Sequence, residues 1–454
     1  MTEWILAQAF EAQGAWRLPD TEQWLPGTLR YRPGEEIQLD LFGAPAITEE
    51  QPLGRAHWDI ILGVTTNGTP VTLRECVQLN LSIGKGGIPQ SSFRATWAIF
   101  GSHFPTDDSV RFKWLSGSYA YLDQFVGVTG LSLERSELTS TQISFRQPDG
   151  RELEVDASLR VRFGFSFHLV PSPFAARIEQ TTWVTAERTA AANLDDLLVQ
   201  LGHVQNLVGL AAGKFATPLQ INGLPEQSSE WERRRSTQVV FVPRPAEGDD
   251  DTDITSLFTL SDLEPDIGDA LERWFAAADL VKPTFDLYFS TLSIPFIYAE
   301  NQFLSLAQAA ESFHRRRFPI GEVSAEEHES RVAAVLAAVP VEHRKWLAQK
   351  LAYSNEPNLR SRLKALLQPH PALRKALRGA SFVNRVVDTR NYLTHYDERS
   401  RKNAAEGVRL HWLVEKLRIV VEMCLLTELG LSSSRIAMIL LRQSRNQYAL
   451  SQQS

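Results

Sequence analysis

Three observations predict an α+β multidomain fold, a β-rich, sandwich-like N-terminal domain followed by an α-helical bundle. Up to about residue 185 the apolar residues alternate with polar ones; from Ile267 onward they recur every three or four residues. Between the two regimes, Pro243 to Asp253 (Pro-Arg-Pro-Ala-Glu-Gly-Asp-Asp-Asp-Thr-Asp) reads as a solvated linker, because it combines ring-restricted residues with a run of like charge. The expected organisation is a β-rich domain over 1–255, a helical connector over 256–298 and a helical domain over 299–454.

Within the first regime, Ile37, Leu39 and Leu41 alternate with Gln38 and Asp40. Trp58–Val64 and Val71–Leu81 flank Asn67-Gly68, a dipeptide suited to the left-handed backbone of a tight hairpin turn. Val110 to Trp114 alternates again. Pro148-Asp149-Gly150 between Ile143–Arg146 and Leu153–Val155 predicts a further hairpin, and Leu159, Val161, Phe163, Phe165 and Phe167 place one face of a strand in the core. Strands at this frequency indicate a sandwich or related sheet domain. Asn193 is placed to cap a helix carrying Leu194, Leu197, Leu198, Leu201 and Val204, which ends between Gly209 and Gly213. Thr237–Val242 is a last strand. Gly84-Lys85-Gly86-Gly87 lacks the order of a phosphate-binding loop and reads as a turn. His57, His103 and His168 have no metal-ligand spacing around them.

In the second regime, Ile267 to Phe275, Phe303 to Phe313, Ala325 to Val339 and Val341 to Leu351 have helical periodicity, with His370 in a turn between two prolines. Val408 to Leu429 is apolar around much of its girth and should be central. The Gln- and Ser-rich end from Gln443 is expected to be poorly ordered. Arg315-Arg316-Arg317 can complement a helix C-terminus or contact phosphate.

The 454 residues, 43% hydrophobic and 22% charged, have a soluble globular composition and no stretch that would span a bilayer. Two cysteines, Cys76 and Cys424, and no signal-peptide pattern at Met1-Thr2-Glu3-Trp4 fit a cytoplasmic protein with buried thiols. The net charge of −7 hides an asymmetry: residues 301–454 hold 24 Lys and Arg against 14 Asp and Glu, and the first 300 hold 23 against 40. A basic helical part beside an acidic N-terminal part fits a nucleic-acid module joined to a regulatory one; ordinary surface charge would look the same.

The segment that carries chemistry is Asp388-Thr389-Arg390-Asn391-Tyr392-Leu393-Thr394-His395-Tyr396. At 100° per residue, Asn384, Asp388, Asn391 and His395 share one stripe, and a polar stripe on an otherwise apolar helix needs water, a ligand or another subunit. His395 carries an imidazole, a side chain suited to moving a proton; Arg390 is a permanent, forked cation suited to phosphate; Asn391 could orient the imidazole or bind a phosphate oxygen. Such a set could run RNA cleavage, in which the 2′-hydroxyl is the nucleophile. Arg390 and His395 are about 140° apart on an ideal helix, so they meet only through the length of arginine or a loosening at Thr394. The same residues are also compatible with a terminal helix histidine and an arginine paired to Asp388 or Glu398.

Arg390 to His395 resembles the R-N-x-x-x-H form of the HEPN ribonuclease motif. The surrounding helices, Phe303 to His314 and Val408 to Leu429, resemble the HEPN domain of ApeA-like anti-phage proteins over roughly residues 300 to 430, and the β-rich region is similar to the N-terminal domain of that family. The resemblance implies a metal-independent endoribonuclease, with no cofactor, that works as a homodimer or higher even oligomer and aborts phage infection on a phage-derived trigger. It implies Arg390, Asn391 and His395 as the catalytic signature. Arg385, Arg399, Arg401 and Lys402 are placed to grip RNA phosphates nearby. The expected substrate is a single-stranded or looped RNA, a tRNA anticodon loop by family analogy, with no membrane partner. A module that only binds a nucleotide or a partner through Arg390 and Asn391, and a scaffold that only dimerises, are the alternatives.

Overall fold

The alternating stretches form strands that pair antiparallel throughout, in a computed structural model that describes residues 4–45, 57–82, 89–137, 140–172, 174–227, 236–243, 256–294, 296–318, 321–396 and 401–453. The chain divides into two units, Met1–Glu264 and Pro265–Ser454. The linker reading over 244–253 and the turn at Gly84–Gly87 lie outside the described residues.

In the first unit, β1 (Phe10–Arg17), β2 (Leu25–Tyr31), β3 (Ile37–Phe42), β4 (His57–Thr65), β5 (Pro70–Ser82) and β6 (Gln90–Phe100) pair in the order β6-β3-β2-β1-β4-β5. β5 then pairs with β6 along its length, from Val71↔Phe100 to Ser82↔Gln90, and the six strands close into a barrel. Closure removes exposed strand edges, which are otherwise templates for unwanted pairing. On its other edge β6 pairs with β3 over Gln90–Ala95 and with β14 (Thr237–Phe241) over Trp97–Phe100. One long strand thus joins the barrel to a sheet that continues through β13 (Pro218–Pro225), β7 (Arg111–Tyr119), β12 (Ala175–Asn193), β11 (Leu159–Ser172) and β10 (Arg151–Glu154).

The barrel core holds Trp16, Leu29, Leu39, Leu73 and Phe93, each with no exposed surface. Gly63 makes room for Trp16: a Cβ there would lie 2.1 Å from the indole ring. The Asn67-Gly68 turn joins β4 to β5 as the dipeptide requires, with Gly68 at φ 82°. Asn193 accepts the backbone N–H of Asp196 at 2.9 Å and caps α2 (Leu194–Ala212), which Gly213 ends in the left-handed region.

The expected hairpin across Pro148–Gly150 does not form. β9 (Ser140–Phe145) pairs back to β8 (Leu131–Glu137), and β10 pairs forward to β11. The turn residues specify a chain reversal but not the strand that each arm meets. In β11 the inward residues Leu159, Val161 and Phe163 are buried, whereas Phe167 is 50% exposed, because the β11–β12 hairpin runs beyond the core.

The second unit is helical: α3 (Ile267–Leu280), α4 (Lys282–Ser293), α5 (Ala299–Arg317), α6 (Ala325–Ala337), α7 (Val341–Leu351), α8 (Leu359–Leu367), α9 (Pro371–Ala376), α10 (Gly379–His395), α11 (Val408–Glu428), α12 (Ser433–Arg442) and α13 (Ser444–Ser451). α11 buries residues on all sides, including Leu413, Leu417, Val420, Val421 and Leu425, and is central as its composition predicts. At about 1.5–3 kcal/mol for each fully buried apolar side chain, this helix is a principal source of bundle stability. The C-terminal residues are not disordered as expected: they form α13. Glu422 of α11 is completely buried, and Arg445 of α13 reaches it at 2.9 Å while Asn446 donates to the Leu440 carbonyl. A buried carboxylate needs a cation, which holds the last helix in place. No helix among the described residues is long and apolar enough to cross a membrane.

Gly63→Ala should destabilise the barrel by about 1–3 kcal/mol through overpacking against Trp16. A urea melt with an unchanged midpoint would show that the indole has room to move.

Candidate active site

Helix α10 carries the motif because its two faces differ. Phe382, Val383, Val386 and Thr389 are buried, whereas Asn384 and His395 are exposed and Asp388 and Asn391 are half-buried. The polar stripe therefore lies on the surface of the unit. The helix does not loosen at Thr394, whose hydroxyl donates to the Arg390 carbonyl at 2.7 Å. It ends at the histidine, after which Tyr396 turns left-handed at φ 50° and its N–H bonds the Tyr392 carbonyl at 2.6 Å.

Arg390 faces a cleft of about 570 Å³ between α5 and α10, with Thr394 beside it and Glu311, Arg315 and Arg316 opposite. Its guanidinium lies 3.6 Å from Glu311 and donates to the Asn391 side-chain oxygen at 3.4 Å. Among the described residues its ion pair is not with Asp388 on its own helix but with Glu311, across to α5. Both partners are partly in water, at 36% and 24% side-chain exposure, so the pair orients Arg390 more than it stabilises the fold. From Glu311 the charges continue: Arg315 at 3.7 Å from Glu311 and 2.9 Å from Glu356, and Glu356 at 3.8 Å from buried Arg362. Arg362 donates to Nδ1 of His314 at 3.2 Å.

His395 is exposed and makes no hydrogen bond or ion pair with a described residue, and it does not line the cleft that holds Arg390. One copy of the chain thus brings Arg390, Asn391 and Thr394 to the same place and leaves the imidazole open on the adjoining surface. Of the flanking cations, Arg385 donates to the Asn403 carbonyl at 2.5 Å, and Arg401 lies 3.6 Å from Glu406. Thr389 adds a second tie to that segment by accepting the Ala405 N–H at 2.9 Å inside the core. Lys402 is exposed, and Arg399 lies outside the described residues. His411 and Trp412 pack on one another, with Tyr448 against the indole.

Glu311 is the site residue that sequence reading missed in this role. Its spacing on an amphipathic helix was visible, but its contact with Arg390 spans 79 residues, and no local pattern encodes it.

A β-rich unit followed by a helical bundle, with a surface R-N-x-x-x-H turn on a helix beside an acidic–basic cleft, defines a HEPN-type protein. The family model for ApeA N-terminal domain 1 matches residues 11–274, and the model for Apea-like HEPN matches residues 304–435. The first match alone covers more than half of the chain, and the chain belongs to the ApeA-like family. No curated protein and no solved structure matches it.

Burial, then the Arg362 charge, hold the His314 imidazole below its ordinary range, and burial does the same to His370. With folded values below the unfolded one, the unfolded chain binds more protons. Stability is therefore complete above the unfolded value of about 6.5 and declines as pH falls through it. His314→Gln should flatten that decline in urea melts taken at neutral and mildly acidic pH; an unaltered slope would show that His314 is not its source.

Proposed function

We propose that this chain is a metal-independent, anti-phage endoribonuclease whose active centre is built from two copies of α10. Its substrate is single-stranded or looped RNA, a tRNA anticodon loop by analogy with the family. The observation that carries the reading is the pairing of a cleft-facing arginine, steered by Glu311, with an accessible histidine five residues on.

RNA supplies its own nucleophile. A base takes the 2′-hydroxyl proton, the 2′-oxygen forms a bond to phosphorus, and the P–O5′ bond breaks. An acid then delivers a proton to the departing 5′-oxygen. The products are a 2′,3′-cyclic phosphate and a 5′-hydroxyl, with atoms and charge balanced and no redox partner needed. Arg390 offers a forked cation to the phosphate as negative charge builds on its oxygens. His395 suits either proton transfer. One imidazole outside the Arg390 cleft would be strained to serve both transfers, whereas a two-fold axis beside α10 brings a second one. Asn391, within reach of Arg390, helps fix the guanidinium or a phosphate oxygen. Arg385, on the motif helix, and Arg399, Arg401 and Lys402, which follow it in the chain, extend the phosphate contacts. The β-rich unit takes the regulatory part, responding to a phage-derived trigger.

His395→Ala should lower RNA cleavage by about 10²–10⁴-fold with the fold intact, and Arg390→Lys should recover little of the activity lost in Arg390→Ala, because lysine lacks the fork. Sequencing of RNA ends from cells expressing wild type and the His395 variant checks this. Undiminished cleavage by the histidine variant removes it from the mechanism, and loss of activity in excess EDTA favours a metal nuclease. Binding without turnover in a single-turnover assay favours a binding module.

A further inference from the structure

A second cleft, of about 720 Å³, opens where α8, α9 and the start of α10 meet. Its rim carries Lys364, Arg374, Lys375 and Arg378, and Leu367 and Val383 form part of its apolar wall. All four cations are exposed, and among the described residues no carboxylate lies within the 4.0 Å of an ion pair from any of them. The contrast with the first cleft is sharp, since there Glu311 and Glu356 partly balance the arginines. Clustered like charges repel, and their field draws a polyanion.

The local backbone is shaped around these side chains. Arg378 is left-handed at φ 54°, an uncommon state for a residue with a Cβ. Gly379 leaves the space that Arg374 occupies: a Cβ on it would stand 2.8 Å from Cγ of Arg374.

The two clefts are related through α10. On an ideal helix Gly379 and Val383, which line the second, and Arg390 and Thr394, which line the first, fall within about 60° of one another. At 1.5 Å per residue Gly379 and Arg390 are about 17 Å apart along the axis.

We propose that the second cleft is an RNA-binding site that holds phosphates of the substrate strand several nucleotides from the cut. It deepens the ribonuclease reading by placing a longer stretch of single strand along α10. Four unbalanced cations in line with a further cationic cleft suit a strand of repeating charge better than one small anion.

The test uses full-length protein carrying His395→Ala, so that bound RNA stays intact, with and without Lys364→Ser, Arg374→Ser and Lys375→Ser together. Binding of a labelled single-stranded oligouridylate is followed by fluorescence anisotropy over a salt series. Three lost phosphate contacts should weaken binding and flatten the slope of log affinity against log salt by about 2, at about 0.7 per contact for single strands. An unchanged slope overturns the proposal. So does a loss of oligoglutamate binding with the RNA slope intact, which assigns the cleft to an acidic protein. The two readings fail separately: a wild type that binds RNA with this salt signature but never cuts it sinks the ribonuclease and keeps the second site. A wild-type nuclease whose triple variant has an unaltered slope does the reverse.

Discussion

Everything at the site depends on one helix being two things at once. α10 buries Phe382, Val383 and Val386 to belong to the bundle, and it leaves Asn391 half-buried and His395 exposed on its other face. Its boundaries enforce the compromise. Arg378 before it and Tyr396 after it are both left-handed, so the motif occupies the last two turns of a helix with defined ends. Thr389, completely buried, accepts the Ala405 N–H, and Arg385 donates to the Asn403 carbonyl. These ties tether the chain that follows the motif to the helix that carries it.

Long-range charge completes what the helix begins. Glu311 sets the direction of Arg390 and shares Arg315 with Glu356, which in turn approaches the buried Arg362. The exposed members contribute little to stability, and their value is geometric. Elsewhere in the unit the same currency is structural: buried Glu422 is met by Arg445 and by the hydroxyl of Tyr288, which anchors α13 to α11. Proximity of opposite charges therefore does two jobs here, distinguished by burial.

The β-rich unit is organised by closure. β6 is long enough to give one edge to β5 and divide the other between β3 and β14, so the barrel and the rest of the sheet share a strand. Trp16 fills the interior because Gly63 has no side chain. Beyond the core, β11 and β12 extend as a hairpin whose outward residues no longer need to be polar or apolar for packing, and the alternation of Phe165 and Phe167 there continues without burial.

By itself the sequence determined the α+β layout, the Asn67-Gly68 turn, the Asn193 cap, the centrality of Val408 to Glu428 and the polar stripe of α10. Each is a relation between residues a few positions apart, set by backbone periodicity and by hydrogen bonds within one turn. Only the tertiary structure decided that β9 turns back to β8, that β5 and β6 close a barrel, and that a Gln- and Ser-rich end becomes a helix over a buried glutamate. It alone decided that Arg390 looks across to Glu311 while His395 stays outside their cleft. These are contacts between distant segments, chosen by which surfaces exclude water together, and local sequence does not encode them.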